Sequence, residues 1–484
     1  MRGVPWLCGA LAVIPVFVHA ETRPKYAGTV EATLLGAPAL DPLAARTHAD
    51  ATAVALVFDT LYRIGPDGIA VPHLAVGEPV LDEKGTTVRI AIRKGVRFHD
   101  GTALEPRDVA ASLERVRAKE KWLLAPVTAV GVDGDAITLS LRAPVADLTE
   151  LLALPQTAVT KSGKAPGAKP IGSGPYAVDS IDPTLHRMQL RAFEDHFAGR
   201  PYVDLMLRWY DTPDGEVRKF ETGAAQISAR GVTAFPGAQP TYRAERLHVP
   251  AWVLEFVGFG QGHAAVTGDR AFRRALDLAI ARGGLATINS GEDVVPVKTP
   301  LPGAPALPAP ALAGELDAAR AEVAKVPALA PDRIGAVKLE ILVEDTRPDD
   351  RELAERVARA LDQLGIATTI AAVPAADLRD RVAKGKADLW IGQLAEPFGF
   401  ADAWWGAAFA VGGDDWPAAQ LASGSLDPAA AAKAFADREP IVPLVFRGLE
   451  LWHRSDVRGL SYDGFGRPCY ADMFYFGVPV RTKP

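Results

Sequence analysis

Cysteine is scarce in this sequence, with only Cys8 and Cys469 among 484 residues. Cys8 falls in an N-terminal segment that we expect to be removed, which leaves Cys469 alone and excludes an intramolecular disulfide. A lone cysteine is more typical of a small buried side chain than of a reactive thiol. Stability must then come from apolar cores, and 48% hydrophobic residues in a chain of this length are enough for at least two of them.

Runs of lysine and arginine are also missing, and the formal net charge is -6 at pH 7. A nucleic-acid-binding surface requires clustered basic residues, so we expect no nucleic acid partner. A transcription regulator with a solute-binding module would need a DNA-binding helix pair before Leu40. The sequence there predicts an export signal instead.

Long apolar runs are confined to the N-terminus. Val4 to Val18 is almost wholly apolar, follows Arg2, and ends at Val18-His19-Ala20. At roughly 15 residues it is shorter than the ~20 that a membrane-spanning helix needs. The pattern therefore predicts a signal peptide, residues 1–20, cleaved after Ala20, and a soluble mature protein in the periplasm.

Enzyme and metal signatures do not have the required spacing. Ser173 lies between two glycines, but a nucleophile elbow also needs glycine where Ile171 and Pro175 stand, so we interpret the segment as a turn. Gly258 to His263 lacks the third glycine of a dinucleotide loop. The nine histidines show no paired spacing typical of zinc ligands. We therefore expect no cofactor, no metal site and no catalytic residues.

One segment combines strand, turn and helix signals in an order that few unrelated proteins would share. Alternating apolar and polar positions from Val88 to Arg93 predict a half-buried strand, and Asp100-Gly101 predicts a turn. Pro106 then opens a helix with apolar residues at helical spacing. This segment, Arg89 to Val116, resembles the signature of the bacterial extracytoplasmic solute-binding proteins of family 5, the peptide and nickel binders of ABC importers. His99 is expected to bond nearby backbone in the turn.

The resemblance extends from about Leu40 to Gly477. Further segments that resemble the family, in the same order, are Leu40–Leu43, Val71–Ala75, Lys169–Tyr176, Phe193–Pro201, Phe220–Ile227 and Asp269–Ile280. The family implies an α/β fold, namely a two-lobed periplasmic binding protein of type II, cluster C-like, with an extra subdomain in the first lobe. It also implies a hinge of two crossing strands and a ligand enclosed between the lobes.

From this resemblance we expect a particular domain division. The expected parts are residues 21–45, 169–250 and 436–484 for the first lobe, 46–168 for the extra subdomain and 251–435 for the second lobe. The periodicity of the sequence supports the second lobe as a separate unit. Strand patterns at Val337–Val343, Ile366–Val373 and Ala387–Gln393 alternate with helical patterns, which predicts a βαβαβ unit and a parallel sheet.

Aromatic residues after the last of these strands are the main candidates for ligand contact, because open α/β sheets bind ligands beyond the carboxyl ends of their strands. These candidates are Trp390, Phe398, Phe400, Trp404 and Trp405. Trp252 and Trp452 lie near the predicted crossings between the lobes. The alternative is that the rings fill a core.

Charged groups could bind the two ends of a peptide, as in oligopeptide binders of the family. Asp402, Asp414 or Asp415 could bind the amino terminus, and Arg447 or Arg454 the carboxylate. The residues from Glu396 to Asp402 depart from the family pattern.

The sequence thus predicts a periplasmic solute-binding protein of an ABC importer. It would act as a monomer, capture peptides or peptide-like solutes between its lobes, and deliver them to permease subunits at the inner membrane. Two alternatives stay open at this stage: a secreted peptide hydrolase, and a binder of metal chelates such as nickel complexes.

Overall fold

The computed structural model describes residue 26 and residues 28–34, 36–209, 213–228, 244–290 and 294–475. The predicted signal peptide lies outside the described residues. The strands are β1 (Thr29–Thr33), β2 (Tyr62–Ile64), β3 (Ala70–Pro72), β4 (Val80–Leu81), β5 (Thr87–Ala91), β6 (Val127–Asp133), β7 (Ala136–Leu141), β8 (Tyr176–Asp182), β9 (Arg187–Ala192), β10 (Asp204–Arg208), β11 (Ile227–Ser228), β12 (Ala244–Phe259), β13 (Val294–Pro296), β14 (Lys338–Glu344), β15 (Ala367–Val373), β16 (Leu389–Leu394), β17 (Ile441–Arg454), β18 (Val457–Arg458) and β19 (Phe474–Tyr475).

Helices alternate with these strands. The α-helices are His48–Val57, Pro106–Lys119, Leu148–Leu151, Pro213–Thr222, Ala264–Thr267, Arg270–Ala279, Ala309–Ala313, Leu316–Val323, Pro348–Gln363, Ala375–Ala383, Ala401–Val411, Trp416–Leu421 and Pro428–Arg438. No helix among the described residues combines the length and apolar character needed to cross a membrane.

Two long antiparallel strands, β12 and β17, join the two halves of one curled sheet. The sheet runs in the order β15-β14-β16-β12-β17-β11-β1-β10-β9-β8, with β13 paired to β17. The register shifts between Val249 and Val253, where β12 advances four residues and β17 only two, from Leu449 to Arg447. Pro250 falls in this bulge and has no backbone N–H to donate.

The second lobe has the predicted βαβαβ unit. β14 pairs in parallel with both β15 and β16, which confirms the prediction from periodicity. The helix Pro348–Gln363 buries Leu353, Val357 and Leu361 completely against this sheet. Gly365, with φ of +79°, follows the helix in a conformation that a side chain would strain.

The segment that resembles the family signature folds as strand, turn and helix. Glu105 and Asp108 form a capping box at the start of the helix Pro106–Lys119, with the Glu105 N–H donating to Asp108 Oδ2 at 2.9 Å. Val109, Leu113 and Val116 are buried against the sheet β4-β5-β7-β6. His99 Nε2 lies 2.9 Å from the carbonyl of Gly174, and the Gly172 N–H donates to His99 Nδ1. His99 therefore bonds backbone, as expected, but in the loop before β8 rather than in its own turn.

Candidate functional site

A bidentate ion pair lies where β12 and β17 cross between the lobes. Arg447 donates to Glu255 through Nη2 at 2.9 Å and through Nε at 3.2 Å. The side chains are 12% and 1% exposed, so both charges are largely out of water. Asp349, at the start of the helix Pro348–Gln363, accepts from Arg447 Nη1 at 3.3 Å and is 31% exposed. Two acids therefore pair with one arginine, and Asp349 is the acid that solvent or a ligand can reach.

The surrounding acids favour the protonated form of Arg447. Burial lowers the pKa of Arg447, but the nearby charges of Glu255 and Asp349 outweigh it and the net shift is upward. Gln393 Nε2 donates to Glu255 Oε1 at 3.2 Å, which satisfies a further lone pair of the buried carboxylate. The arrangement meets the requirement that buried charges be paired and hydrogen-bonded.

A second cluster lies beside it and contacts the first lobe. Arg347 donates to Asp350 at 2.6 Å, and burial raises the pKa of the Asp350 carboxyl even though Arg347 opposes this. Glu344 Oε1 accepts the backbone N–H of Ala37 at 2.8 Å, a residue of the loop after β1. Gly36 in that loop has φ of +105°, and a Cβ there would come within 2.9 Å of Arg347. The first-lobe backbone thus lies directly against the second lobe.

Further contacts join the expected subdomain to the expected second lobe. The Ala395 N–H donates to the Arg46 carbonyl at 3.2 Å, and Lys121 forms an ion pair with Asp415 at 2.6 Å. The ring of Trp122 lies so close to Gly406 that a Cβ there would come within 2.1 Å of it. Trp122 of the expected subdomain therefore packs on the helix Ala401–Val411.

Glu396 is buried inside this closed contact. Its side-chain Oε2 has no hydrogen-bond partner, and the residue is 1% exposed. Burial raises the pKa of the Glu396 carboxyl to about 8; the positive charge of Arg46 opposes the rise and the negative charge of Glu120 adds to it. Ionisation of this carboxyl would therefore leave a negative charge buried in the contact.

The aromatic candidates divide into two sets. Trp252 and Phe398 contact each other with ring centroids 4.9 Å apart, and Trp252 Nε1 donates to the Glu396 carbonyl at 2.9 Å. Phe398 is 47% exposed and presents an open ring face. This pair lies beside the closed interlobe contact, where a ligand side chain could stack on it.

Three further tryptophan candidates, which lie in or shortly after β16, are core residues. Trp390 is 5% exposed and fills the space above Gly258 on β12. Trp404 is fully buried, donates to the Pro397 carbonyl at 2.9 Å and meets Phe446 edge-on. Trp405 is 3% exposed and packs on Phe435. These contacts agree with the alternative weighed from the sequence, that some of the rings fill a core.

The remaining charged candidates are dispersed. Asp402 accepts the Leu426 N–H at 3.3 Å, and Asp414 pairs with Arg438 at 3.1 Å. Arg454 lies at the first-lobe end of β17 beside Asp456, at 3.5 Å. Trp452 is on that same half of β17, where it packs on Phe220. The structure does not bring these residues to the Arg447 pair.

Sequence reasoning identified Arg447 but missed its partners. Glu255 interrupts an apolar strand, and a charge within a buried strand requires a partner. That signal could have identified Glu255. Asp349, Glu344 and Arg347 gave no comparable signal, because they stand in a polar stretch typical of a helix start.

Ser173, Asp59 and His73 come together without forming a catalytic triad. Ser173 donates to Asp59 Oδ2 at 2.8 Å, and His73 Nε2 lies 2.8 Å from Asp59 Oδ1. A triad requires the histidine between serine and acid, whereas here the acid lies between the other two. Ser173 is also fully buried. His196 joins this group, and the ligating atoms of Asp59, His73 and His196 all lie within 4.8 Å of one another.

The chain is similar to known binding proteins. Residues 70–414 match the family model described as bacterial extracellular solute-binding proteins, family 5 Middle. The uncharacterized protein YhjP of Bacillus subtilis is 27% identical over 347 residues, which cover 70% of this chain and 54% of that protein. The chain thus matches about half of the length of this curated relative.

Solved structures share the fold at low identity. The oligopeptide-binding protein AppA from Bacillus subtilis, in complex with a nonapeptide, has a TM-score of 0.75 at 16% identity and covers 94% of this chain and 100% of its own. NikA from Staphylococcus aureus, in complex with Ni(L-His)2, has a TM-score of 0.74 at 17% identity, with coverages of 92% and 99%. The expected two-lobed α/β fold is thereby confirmed.

Proposed function

This chain belongs to family 5 of the bacterial extracellular solute-binding proteins, and on that premise we propose that it captures a peptide or peptide-like solute between its two lobes. It would act as a monomer in the periplasm and deliver the solute to the permease of an ABC importer. The observation that carries this proposal is the partly exposed acid Asp349 beside the buried pair of Arg447 and Glu255 at the strand crossing.

A zwitterionic ligand fits this arrangement. An ammonium group would bind Asp349, and a carboxylate would accept from Arg447 Nη1 in place of the Asp349 contact. The rings of Trp252 and Phe398 would cover an apolar side chain without requiring one fixed hydrogen-bond pattern. Closure would exclude water and strengthen these contacts.

Binding would work by a shift of population. A ligand that bridges the lobes binds better to the closed state than to the open state, and this difference in affinity favours closure. The bulge in β12 between Val249 and Val253 is the proposed bending point, since the ladder of hydrogen bonds is already interrupted there.

Native mass spectrometry of the full chain tests the proposal against the hydrolase alternative. The protein would be incubated with a mixture of short peptides and, separately, with nickel–histidine. We expect one peptide retained per chain with its mass unchanged. Peptide fragments that accumulate with time would favour the hydrolase, and retention of nickel–histidine alone would favour the chelate binder.

Two variants locate the site once a retained peptide is known. Asp349→Asn should weaken binding about tenfold, the equivalent of ~1.4 kcal/mol. Asp362→Asn is the matched control, because it makes the same change at the exposed far end of the same helix. Equal affinities of the two variants would place the ligand away from the strand crossing.

A further inference from the structure

Three side chains from separate loops converge at the seam between the extra subdomain and the first-lobe sheet. Asp59 follows the helix His48–Val57, His73 follows β3, and His196 lies in the turn between β9 and β10. His73 Nε2 lies 2.8 Å and His196 Nε2 3.6 Å from the same oxygen, Asp59 Oδ1. Three groups that can ligate a metal therefore face one point.

The surroundings of His196 leave a lone pair aimed at that point. His196 Nδ1 lies 3.2 Å from the Gly199 carbonyl, which can only accept a hydrogen bond, so Nδ1 must carry the proton. In the neutral ring, Nε2 is then the unprotonated nitrogen. It is buried without a hydrogen-bond partner, and the side chain is 5% exposed. A lone pair opposite a carboxylate oxygen is unfavourable, and either a second proton on the ring or a metal cation between the two groups would relieve the repulsion.

The carboxylate is held in a matching orientation. Ser173 Oγ donates to Asp59 Oδ2 at 2.8 Å, which turns Oδ1 towards the two imidazoles. Outer contacts that fix ligand orientation in this way are typical of metal sites. His99, the next imidazole, has both nitrogens bonded to the backbone of Gly172 and Gly174 and does not add a ligand.

We propose that Asp59, His73 and His196 bind a first-row divalent metal ion of the Zn²⁺ class. Imidazole and carboxylate donors suit zinc, whereas magnesium and calcium prefer oxygen donors alone. Ligand bonds of about 2.0–2.2 Å imply donor separations near 3.3 Å in a tetrahedral site. The His196–Asp59 separation of 3.6 Å already approaches this value, and the His73–Asp59 separation of 2.8 Å must widen slightly.

His73 provides the route of entry. Its side chain is 13% exposed, against 2% for Asp59 and 5% for His196, so an ion would reach the three groups from the His73 side. The ion would join Asp59 and His73 of the subdomain to His196 of the first-lobe sheet. This site is distinct from the interlobe crossing of Arg447, and the ion would stabilise the first lobe rather than take part in ligand capture.

The test begins with the full chain stripped by a chelator and dialysed. On addition of Zn²⁺ we expect one ion retained per chain by elemental analysis and an upward shift in Tm. Co²⁺ should give the visible absorption bands of a low-symmetry site with nitrogen and oxygen ligands. No retained ion and no Tm shift in the unmodified chain would overturn the proposal, whatever the variants do.

Variants assign the ion to these residues. His73→Gln and His196→Gln should each weaken Zn²⁺ binding by about 100-fold or more, since even outer contacts of metal sites are worth ~10–100-fold. His263→Gln is the control, because His263 also contacts an aspartate, Asp388 at 2.8 Å, but has a 47% exposed side chain and lies elsewhere. His73 is the more exposed of the two histidines. Unchanged Zn²⁺ binding in His73→Gln would overturn the assignment.

Discussion

Two clusters in this protein each hold a buried carboxylate, but the partners of the two carboxylates differ. At the strand crossing, the negative charge of Glu255 is balanced by Arg447, a cation that the chain itself supplies. At the subdomain seam, the partners found for Asp59 among the described residues are two imidazoles and a serine hydroxyl, none of which carries a fixed positive charge. The first cluster can exchange a weak internal contact for a ligand, whereas the second favours an external cation.

The largest effect expected from this comparison is on the balanced pair. Arg447→Met should lower the free energy of unfolding by about 3–5 kcal/mol, because Glu255 would stay buried without its partner. The double variant Glu255→Gln/Arg447→Met should recover most of that loss. Guanidinium denaturation followed by circular dichroism measures the free energy of unfolding of both variants.

In the cluster around Asp59, the effect should be smaller. His73→Gln in metal-free protein should lower the free energy of unfolding by only about 1 kcal/mol, because it removes one hydrogen bond and no fixed charge. If Arg447→Met and His73→Gln cost the same, the two clusters do not differ as described.

A third buried charge, Glu396, predicts a pH dependence. Its pKa is raised to about 8 in the folded protein from 4.5, so between those pH values the folded chain holds a proton that the unfolded chain has lost. The contribution of Glu396 to the free energy of unfolding is therefore fully present below pH 4.5 and is lost as the pH rises to 8. The loss should be on the order of a few kcal/mol.

Glu396→Gln should remove this loss and be more stable than the unmodified chain at pH 9. Denaturation series at pH 5 and pH 9 show how much the free energy of unfolding changes with pH in each of the two proteins. Arg46 and Glu120, the charged groups facing Glu396, are left intact in this variant. Parallel pH profiles for the two proteins would contradict the assignment.

The smallest effect separates the two kinds of aromatic candidate. Trp404→Phe should cost about 1–2 kcal/mol of stability, since it loses the hydrogen bond to Pro397 and leaves a small cavity. Phe398→Leu should change stability by less than about 0.5 kcal/mol, because the ring is half exposed. Ligand affinity should show the reverse order, which calorimetry on both variants would measure.

Local patterns in the sequence predicted the fold well. The strand, turn and helix of Arg89 to Val116 and the βαβαβ unit of the second lobe depend on periodicity, turn residues and caps that lie close together in the chain. The sites depend on contacts between distant segments. No spacing rule joins Asp59 and His73 to His196, and the burial of Trp404 depends on how its helix packs under β17.

The domain boundaries and the ligand-contact residues remain predictions. β12 runs through the expected boundary at residues 250 and 251, as a strand shared by both lobes must. Boundaries within such a strand leave no compositional signal in the sequence, since the strand is continuous across them.

Small-angle X-ray scattering of the full chain tests the central claim most directly, namely that a solute is captured by closure of the lobes on the β12–β17 crossing. The protein would be measured stripped of ligand and then saturated with the peptide that native mass spectrometry identifies. We expect a smaller radius of gyration on saturation, with a final curve that matches the structure described above. A bound peptide that leaves the scattering curve unchanged would contradict it.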